Sequence, residues 1–338
     1  SGYHHGEQSL MGAIIGMASN FPGSNNINLL TTSGQFGDRV KGISSAASPR
    51  YIYTQLEDIT KYIFNDNDRP ILNYLDDDGF PIEPRFYIPI IPMVLVNGAE
   101  GIGTGYSTKI PNYNPTDLIH SIRSLLNGEK IKELVPWYSD FKGSIKKDTA
   151  SRYIVDGIWK RISDHKIEIT ELPIGTFTKK YEEFLTSIEI DKKNPRGFIS
   201  GWKSASFGHD KHNIHLYVKF PSKKALDNLI KEKSESKCLE KVLRLRSVIN
   251  LTNMFLFNEN GTITKYNNSQ SIIKEFFKAR LPYYETRRKY LLNKLKKDLE
   301  KSTKEKDEIE MKINILKGKT SHELWLEDLE SLENRYKK

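Results

Sequence analysis

The stretch SPRYIYTQL, Ser48 to Leu56, sets a tyrosine directly after an arginine, between a loop and an apolar-periodic run. A phenol titrates near pH ~10, so it attacks poorly unless nearby positive charge or a base favours its oxyanion. Arg50 supplies a charge that persists at any working pH and offers paired donors to a phosphate. The chemistry such a pair suits is attack on a phosphoryl centre. Its bland alternative is an amphipathic surface aromatic beside a solvated arginine.

Other residue groups carry chemistry of varying specificity. His4 and His5 precede the helix that starts near Gln8, where free backbone N–H groups and the helix dipole favour an anion; exposed histidines near a cap are the plain reading. GIGTG places Ile102 between glycines. It lacks the spacing of a dinucleotide loop and no helix with a ribose-binding acid follows. An apolar residue so flanked suits a wedge that enters between base pairs and kinks DNA, against the alternative of a buried core residue. Asp76, Asp77 and Asp78 read as a turn before Gly79 rather than as Mg²⁺ ligands. His209, His212 and His215 run from a polar loop into a strand, which favours an exposed loop over zinc.

Bulk properties agree with a polyanion partner. The 338 residues allow two or three domains, and the formal net charge of +9 suits nucleic acid or an anionic membrane surface. Hydrophobic content of 37% and charged content of 28% fit a soluble chain with very polar segments. One cysteine, Cys238, excludes an internal disulfide framework and a thiolate metal cage, which points to a reducing compartment. No apolar run approaches the ~20 residues of a membrane span, and no signal-peptide core is present. The start SGYHHGE, without methionine, reads as that of a fragment and leaves targeting undecided.

The elements expected to position these residues follow from periodicity. Leu10, Ile14, Met17 and Phe21 predict a helix from Gln8 to Phe21. INLLTTSGQFGDRVKG reads as a hairpin or wing, and Leu56, Ile59 and Ile63 predict a helix beginning near Tyr51. Pro89 and Pro92 forbid a central strand. Alternation in RYIVDGIWKRI, HKIEITEL and NIHLYVKF predicts an α+β domain, its sheet covered by helices such as TDLIHSIRSLL. Leu291, Leu295 and Leu299, then Ile309, Ile313 and Leu316, predict two antiparallel helical arms.

The ordered blocks YHHGEQSL, NFPGSNNINLL, GQFGDR, ASPRYIYT, EPRFYIPIIPMVLVNGAEGIGTGYSTKIPNYNP, ITELPIGTFT, ARLPYYETRRKYLL and SHELWLEDLESLE closely resemble eukaryotic-type DNA topoisomerase II over nearly the whole chain. The breakage-reunion subunits of bacterial gyrase and topoisomerase IV share the logic. The resemblance implies a multidomain α+β fold: a winged-helix domain over residues 1–110, a tower with a mixed sheet over 111–268, and the base of antiparallel coiled-coil arms over 269–338.

It implies that Tyr51 is the nucleophile that becomes joined to a 5′ phosphate of DNA, with Arg50 stabilising the transition state. His5 would contact the scissile phosphate and Ile102 would intercalate. His4, Gln8, Ser9, Arg39 and Lys41 would be further DNA contacts, with Lys142, Lys146 and Lys147 candidates in the tower. Double-stranded DNA, a homodimer and the nucleus are implied, an organelle or infected cell being alternatives, and no membrane. Mg²⁺ would be held by a Toprim domain and ATP by an ATPase domain, both outside this sequence. A dimerisation segment of the family is expected between Glu300 and EKDEIEMK, where this chain runs straight across near 300–305. Such a fragment is expected to bind DNA without cleaving it alone. The competing reading is a catalytically silent, DNA-bending architectural protein of the same fold.

Overall fold

The computed structural model of the chain describes residues 3–192, 194–205, 213–232, 237–301 and 306–337. Its N-terminal part contains α1 (Glu7–Ala18), α2 (Asp58–Ile63), the hairpin β1 (Tyr74–Asp77) and β2 (Phe80–Pro84), α3 (Met93–Val96), and the hairpin β3 (Ala99–Gly103) and β4 (Tyr106–Ile110). Asp78 and Gly79 both take positive φ between β1 and β2, so the aspartate run ends β1 and enters a hairpin turn.

Helix α1 departs from its expected face. It buries Ile15 and Ala18 while Leu10 and Met17 stay exposed, and Phe21 lies buried beyond its end, edge-on to Phe177. LMGAIIGMA is apolar on every side, so its periodicity has no contrast to read. Within the expected wing a tight turn bridges Asp38 and Gly42, but the stretch before it does not pair with that turn. Leu30 and Ser33 instead pair with Leu56 and Tyr53. That pairing also corrects the next helix, which begins at Asp58 and not near Tyr51. A residue whose backbone groups join a strand pair is not free to start a helix.

The middle of the chain holds α4 (Pro115–Leu126), β5 (Ser144–Thr149), β6 (Arg152–Asp156), β7 (Ile158–Ser163), β8 (Lys166–Glu171), α5 (Thr178–Ser187), β9 (Gly201–Ser204), β10 (Leu216–Lys219), α6 (Lys223–Lys231), α7 (Leu239–Val242), β11 (Arg246–Asn250), β12 (Phe255–Phe257) and β13 (Ile263–Lys265). Two larger sheets form, in the orders β7-β8-β10-β9 and β11-β6-β5. Every pairing between these strands is antiparallel, which corrects the expected mixed sheet. For β5-β6 and β7-β8 the physical reason lies in the links: Ala150-Ser151 and Asp164-His165 permit hairpins, whereas a parallel crossover needs roughly a dozen residues. Ile167, Ile169, Leu216 and Val218 face a core shared with α5 and α6 through Tyr181, Leu185 and Leu226.

Helix α4 does not join the core of the β7-β8-β10-β9 sheet, but it shares one with Tyr153 of the β11-β6-β5 sheet. Its buried Leu118, Ile119 and Ile122 join a larger core with Ile90, Ile91, Leu95 and Tyr113. The C-terminal helices α8 (Ser269–Lys301), α9 (Lys306–Gly318) and α10 (Ser321–Tyr336) close this core. Arg288 of α8 donates to the carbonyls of Leu316 and Lys317, so α9 returns antiparallel along α8, as the leucine spacing predicts. Trp325 of α10 is stacked between Phe277 and Tyr284 at 5.3 and 5.2 Å, and its indole N–H donates to the Ile90 carbonyl. Beneath it, Arg280 pairs with Asp68 at 2.6 Å and Arg287 with Asp328 at 2.5 Å. Burial is the largest influence on Asp68 and raises its carboxyl pKa against the lowering effect of both arginines.

Candidate nucleic-acid interface

Tyr51 stands at the end of a 3₁₀ turn, Pro49–Tyr51, with its N–H bonded to the Ser48 carbonyl. Its side chain is 65% exposed, and the Arg50 guanidinium lies 4.7 Å from the ring centroid. That distance is a cation–π contact, and it places the cation beside the phenol. The segment after Tyr51 is fixed by a backbone ladder. Ser33 and Tyr53 exchange two hydrogen bonds at 3.0 Å, Thr31 N–H donates to Gln55, and Glu57 N–H donates to Leu29. The Thr54 hydroxyl adds a bond to the Thr31 carbonyl. The turn therefore presents an exposed phenol on a backbone that is tied down on its C-terminal side.

Ile52 turns inward where Tyr51 turns outward. It packs on the small core of Ile15, Ala18 and Phe36, the same core that seats α1. Helix α1 and the tyrosine turn are thus parts of one body. The start of α1 carries His4, His5, Gln8 and Ser9, all exposed, and Gly6 caps it with no side-chain hydrogen bond. Among the described residues no side chain accepts from its first-turn N–H groups, which suits an anion. His5 sits edge-on to Tyr3 at 5.4 Å.

Ile102 is 93% exposed in β3, where it pairs with Ser107 across the hairpin. The buried-core reading of this residue is thereby excluded. A Cβ at Gly101 would meet nothing within 4 Å, so the strand face opposite Ile102 is open too. The hairpin is rooted through Asn97, whose side chain accepts from the N–H groups of Asn26 and Ile27 and donates to the Ile27 carbonyl. Asn26 is itself buried and bonds to Tyr113, Trp137 and Ser139. Sequence reasoning read NFPGSNN only as a helix breaker. A pair of adjacent asparagines after a Pro-Gly turn was the available signal.

Arg39 corrects an expected DNA contact. It is 1% exposed, pairs with Glu171 at 3.1 Å and donates to the Leu172 carbonyl at 2.6 Å. Burial pulls its pKa below the ordinary arginine value despite Glu171. The guanidinium is spent on joining the Asp38 turn to β8 and cannot reach solvent. Lys41, held in the same turn by Asp38, is exposed. Among the lysines expected as further DNA contacts, Lys147 pairs with Glu133 at 2.5 Å, Lys142 donates to Asn213, and Lys146 is exposed. His209 and His212 lie outside the described residues, and His215 faces Glu168 at 3.5 Å. No group of three or more His, Cys, Asp or Glu among the described residues is placed to hold a metal ion.

The family model for the A-type subunit of DNA gyrase/topoisomerase IV matches residues 1–334. The chain belongs to this family. Within it, the chain is similar to DNA topoisomerase 2 of Plasmodium falciparum, 44% identical over 296 residues that cover 88% of this chain and 20% of that protein. DNA topoisomerase 2 of Arabidopsis thaliana is 44% identical over 304 residues, with 88% of this chain and 20% of the relative covered. The chain thus spans about a fifth of these relatives' length. The crystal structure of the Plasmodium falciparum topoisomerase II DNA-binding, cleavage and re-ligation domain superposes with a TM-score of 0.90 at 35% identity, covering 99% of this chain and 56% of that one. That agreement extends the family's mixed α and β architecture over the whole length.

Proposed function

We propose that the chain is the DNA breakage-reunion core of an ATP-dependent type IIA topoisomerase, working on duplex DNA as a homodimer. The carrying observation is the exposed Tyr51 phenol beside Arg50 on a backbone-anchored turn. The Tyr51 oxygen attacks a backbone phosphorus, the bond to the 3′ oxygen breaks, and the 5′ phosphate stays on tyrosine. The ester bond energy is conserved in that link, so the released 3′ hydroxyl reseals the strand by the reverse attack. Arg50 supplies fixed positive charge where the equatorial oxygens gain negative charge. His5, just before the Gly6 cap of α1, contacts the same phosphate. His4, Gln8, Ser9 and Lys41 bind neighbouring phosphates.

In this reading the N-terminal part is the winged-helix domain, the strand-rich middle the tower, and α8 with α9 the base of the arms. Ile102 enters the base stack and bends the duplex, a deformation that costs of order 1–10 kcal/mol. The residues around Tyr51 do not fit a Mg²⁺ site, because no convergent carboxylates or histidines are described there. In this proposal the family's Mg²⁺ and ATP are held by other parts of the longer enzyme, and the nucleus is the proposed location. No described helix is long and apolar enough to cross a membrane.

The exposed Ile102 hairpin alone would also suit a DNA-bending protein without chemistry. Such a protein has no use for a phenol beside a guanidinium. Tyr51→Phe in the enzyme that carries this chain separates the two. Loss of strand cleavage with nearly unchanged DNA affinity supports the proposal, and an unmodified protein with no cleavage to lose supports the bender.

A further inference from the structure

A side chain that parts two stacked bases must be backed by something stiffer than the stack. The hairpin carrying Ile102 consists only of β3 and β4, and a lone two-stranded hairpin is marginally stable. Its own cross-strand ion pair, Lys109 with Glu100 at 3.1 Å, is solvent-exposed and contributes little. A wedge so mounted would yield before the DNA did.

The outer edge of β4 is, however, clamped. Lys109 N–H donates to the Asn253 carbonyl at 2.7 Å. The Asn253 side-chain amide donates to Ser107 Oγ at 2.9 Å, and Phe255 N–H donates to Thr108 Oγ1 at 3.1 Å. The Tyr106 ring meets Phe255 edge-on at 5.7 Å. Every residue from Tyr106 to Lys109 thus has a partner in the Asn253–Phe255 segment, and Ser107 is the residue paired with Ile102. That segment is itself anchored. Leu251 and Met254 are buried in the main core, and Tyr266 N–H donates to the Met254 carbonyl.

We propose that Asn253 and Phe255 are positioning residues that transmit the load on Ile102 from the hairpin into the core. The inference rests on the wedge reading of Ile102. Asn253 acts through Ser107, directly across from the wedge, and Phe255 through Thr108 and Tyr106. Neither touches DNA bases in this account.

The test uses the enzyme that carries this chain with a duplex of roughly 20–30 bp, labelled at both ends for energy transfer and carrying 2-aminopurine beside the intercalated step. Unstacking brightens the 2-aminopurine, and bending raises the transfer. Asn253→Ala and Ser107→Ala delete the same hydrogen bond from opposite sides, so a folding failure in one leaves the other informative. Both are expected to lose most of the brightening and the transfer, approaching Ile102→Ala. Affinity, its salt dependence and the melting temperature should stay near those of the unmodified enzyme, which a general structural weakening would not allow. If Ile102→Ala loses the signals and both brace variants keep them, the positioning role is overturned while the wedge stands. If Ile102→Ala changes nothing, or the unmodified enzyme neither brightens nor bends the duplex, the wedge reading falls and the brace with it.

Discussion

Ile52 and Gly34 fit so closely that a Cβ on Gly34 would lie 2.7 Å from Ile52 Cγ2. Gly34 also has φ of +109°, a region that favours glycine. The contact sets the depth of Ile52 and, through it, the direction of Tyr51. Gly34→Ala should therefore destabilise the fold by about 1–3 kcal/mol and displace the tyrosine turn. Urea unfolding reads the first effect. A loss of strand cleavage larger than any loss of DNA affinity, in the enzyme carrying this chain, reads the second.

Arg39 and Lys41 sit two residues apart and should behave oppositely. Arg39→Met leaves Glu171 buried without its cation, at a cost of roughly 3–5 kcal/mol in stability. The salt dependence of DNA binding should not change, because Arg39 meets no phosphate. Lys41→Ala should leave stability unchanged and lower the slope of log K against log salt by about 1. Denaturation and binding titrations at several salt concentrations measure both.

The contrast between these residues shows where the sequence was legible. Long blocks such as SPRYIYT and AEGIGTG picked out the tyrosine turn and the hairpin on which Ile102 is exposed, and the strand alternation in IVDGIWKRI and HKIEITEL matched real strands. Burial of one basic residue among several is a tertiary fact. Nothing local to GDRVK distinguishes a guanidinium that will meet Glu171 from an ammonium that will meet water. The clamp on the wedge was equally hidden, since Asn253 lies far along the chain from Ser107. Helix α1 misled for a third reason, an apolar residue set too uniform to give a face.

Trp325 joins α10 to α8 and to the Ile90 carbonyl. Trp325→Ala should cost about 3–5 kcal/mol by removing both ring stacks and leaving a cavity. The midpoint of chemical unfolding should fall accordingly. Binding of duplex DNA by the fraction that remains folded should keep its salt dependence.

Glu333 gives a pH dependence with a defined sign. A hydrogen bond from Lys337 is the largest influence holding its carboxyl below the usual value, and Arg123 at 2.7 Å assists. A carboxylate whose folded pKa is depressed contributes stability that is present above its unfolded pKa of about 4.3 and lost as pH falls through the lower folded value. Glu333→Gln removes that contribution. Unfolding midpoints measured from about pH 6 down to about pH 3 should converge for the two proteins at the acid end and separate at the other.

The nucleophile itself can be identified on the protein. The enzyme carrying this chain is trapped on a duplex with strong denaturant, digested, and the DNA-linked peptide sequenced by mass spectrometry. The account predicts a 5′-phosphate ester on Tyr51, within the peptide that follows Arg50. An adduct on any other residue, or a link to a 3′ phosphate, would contradict it.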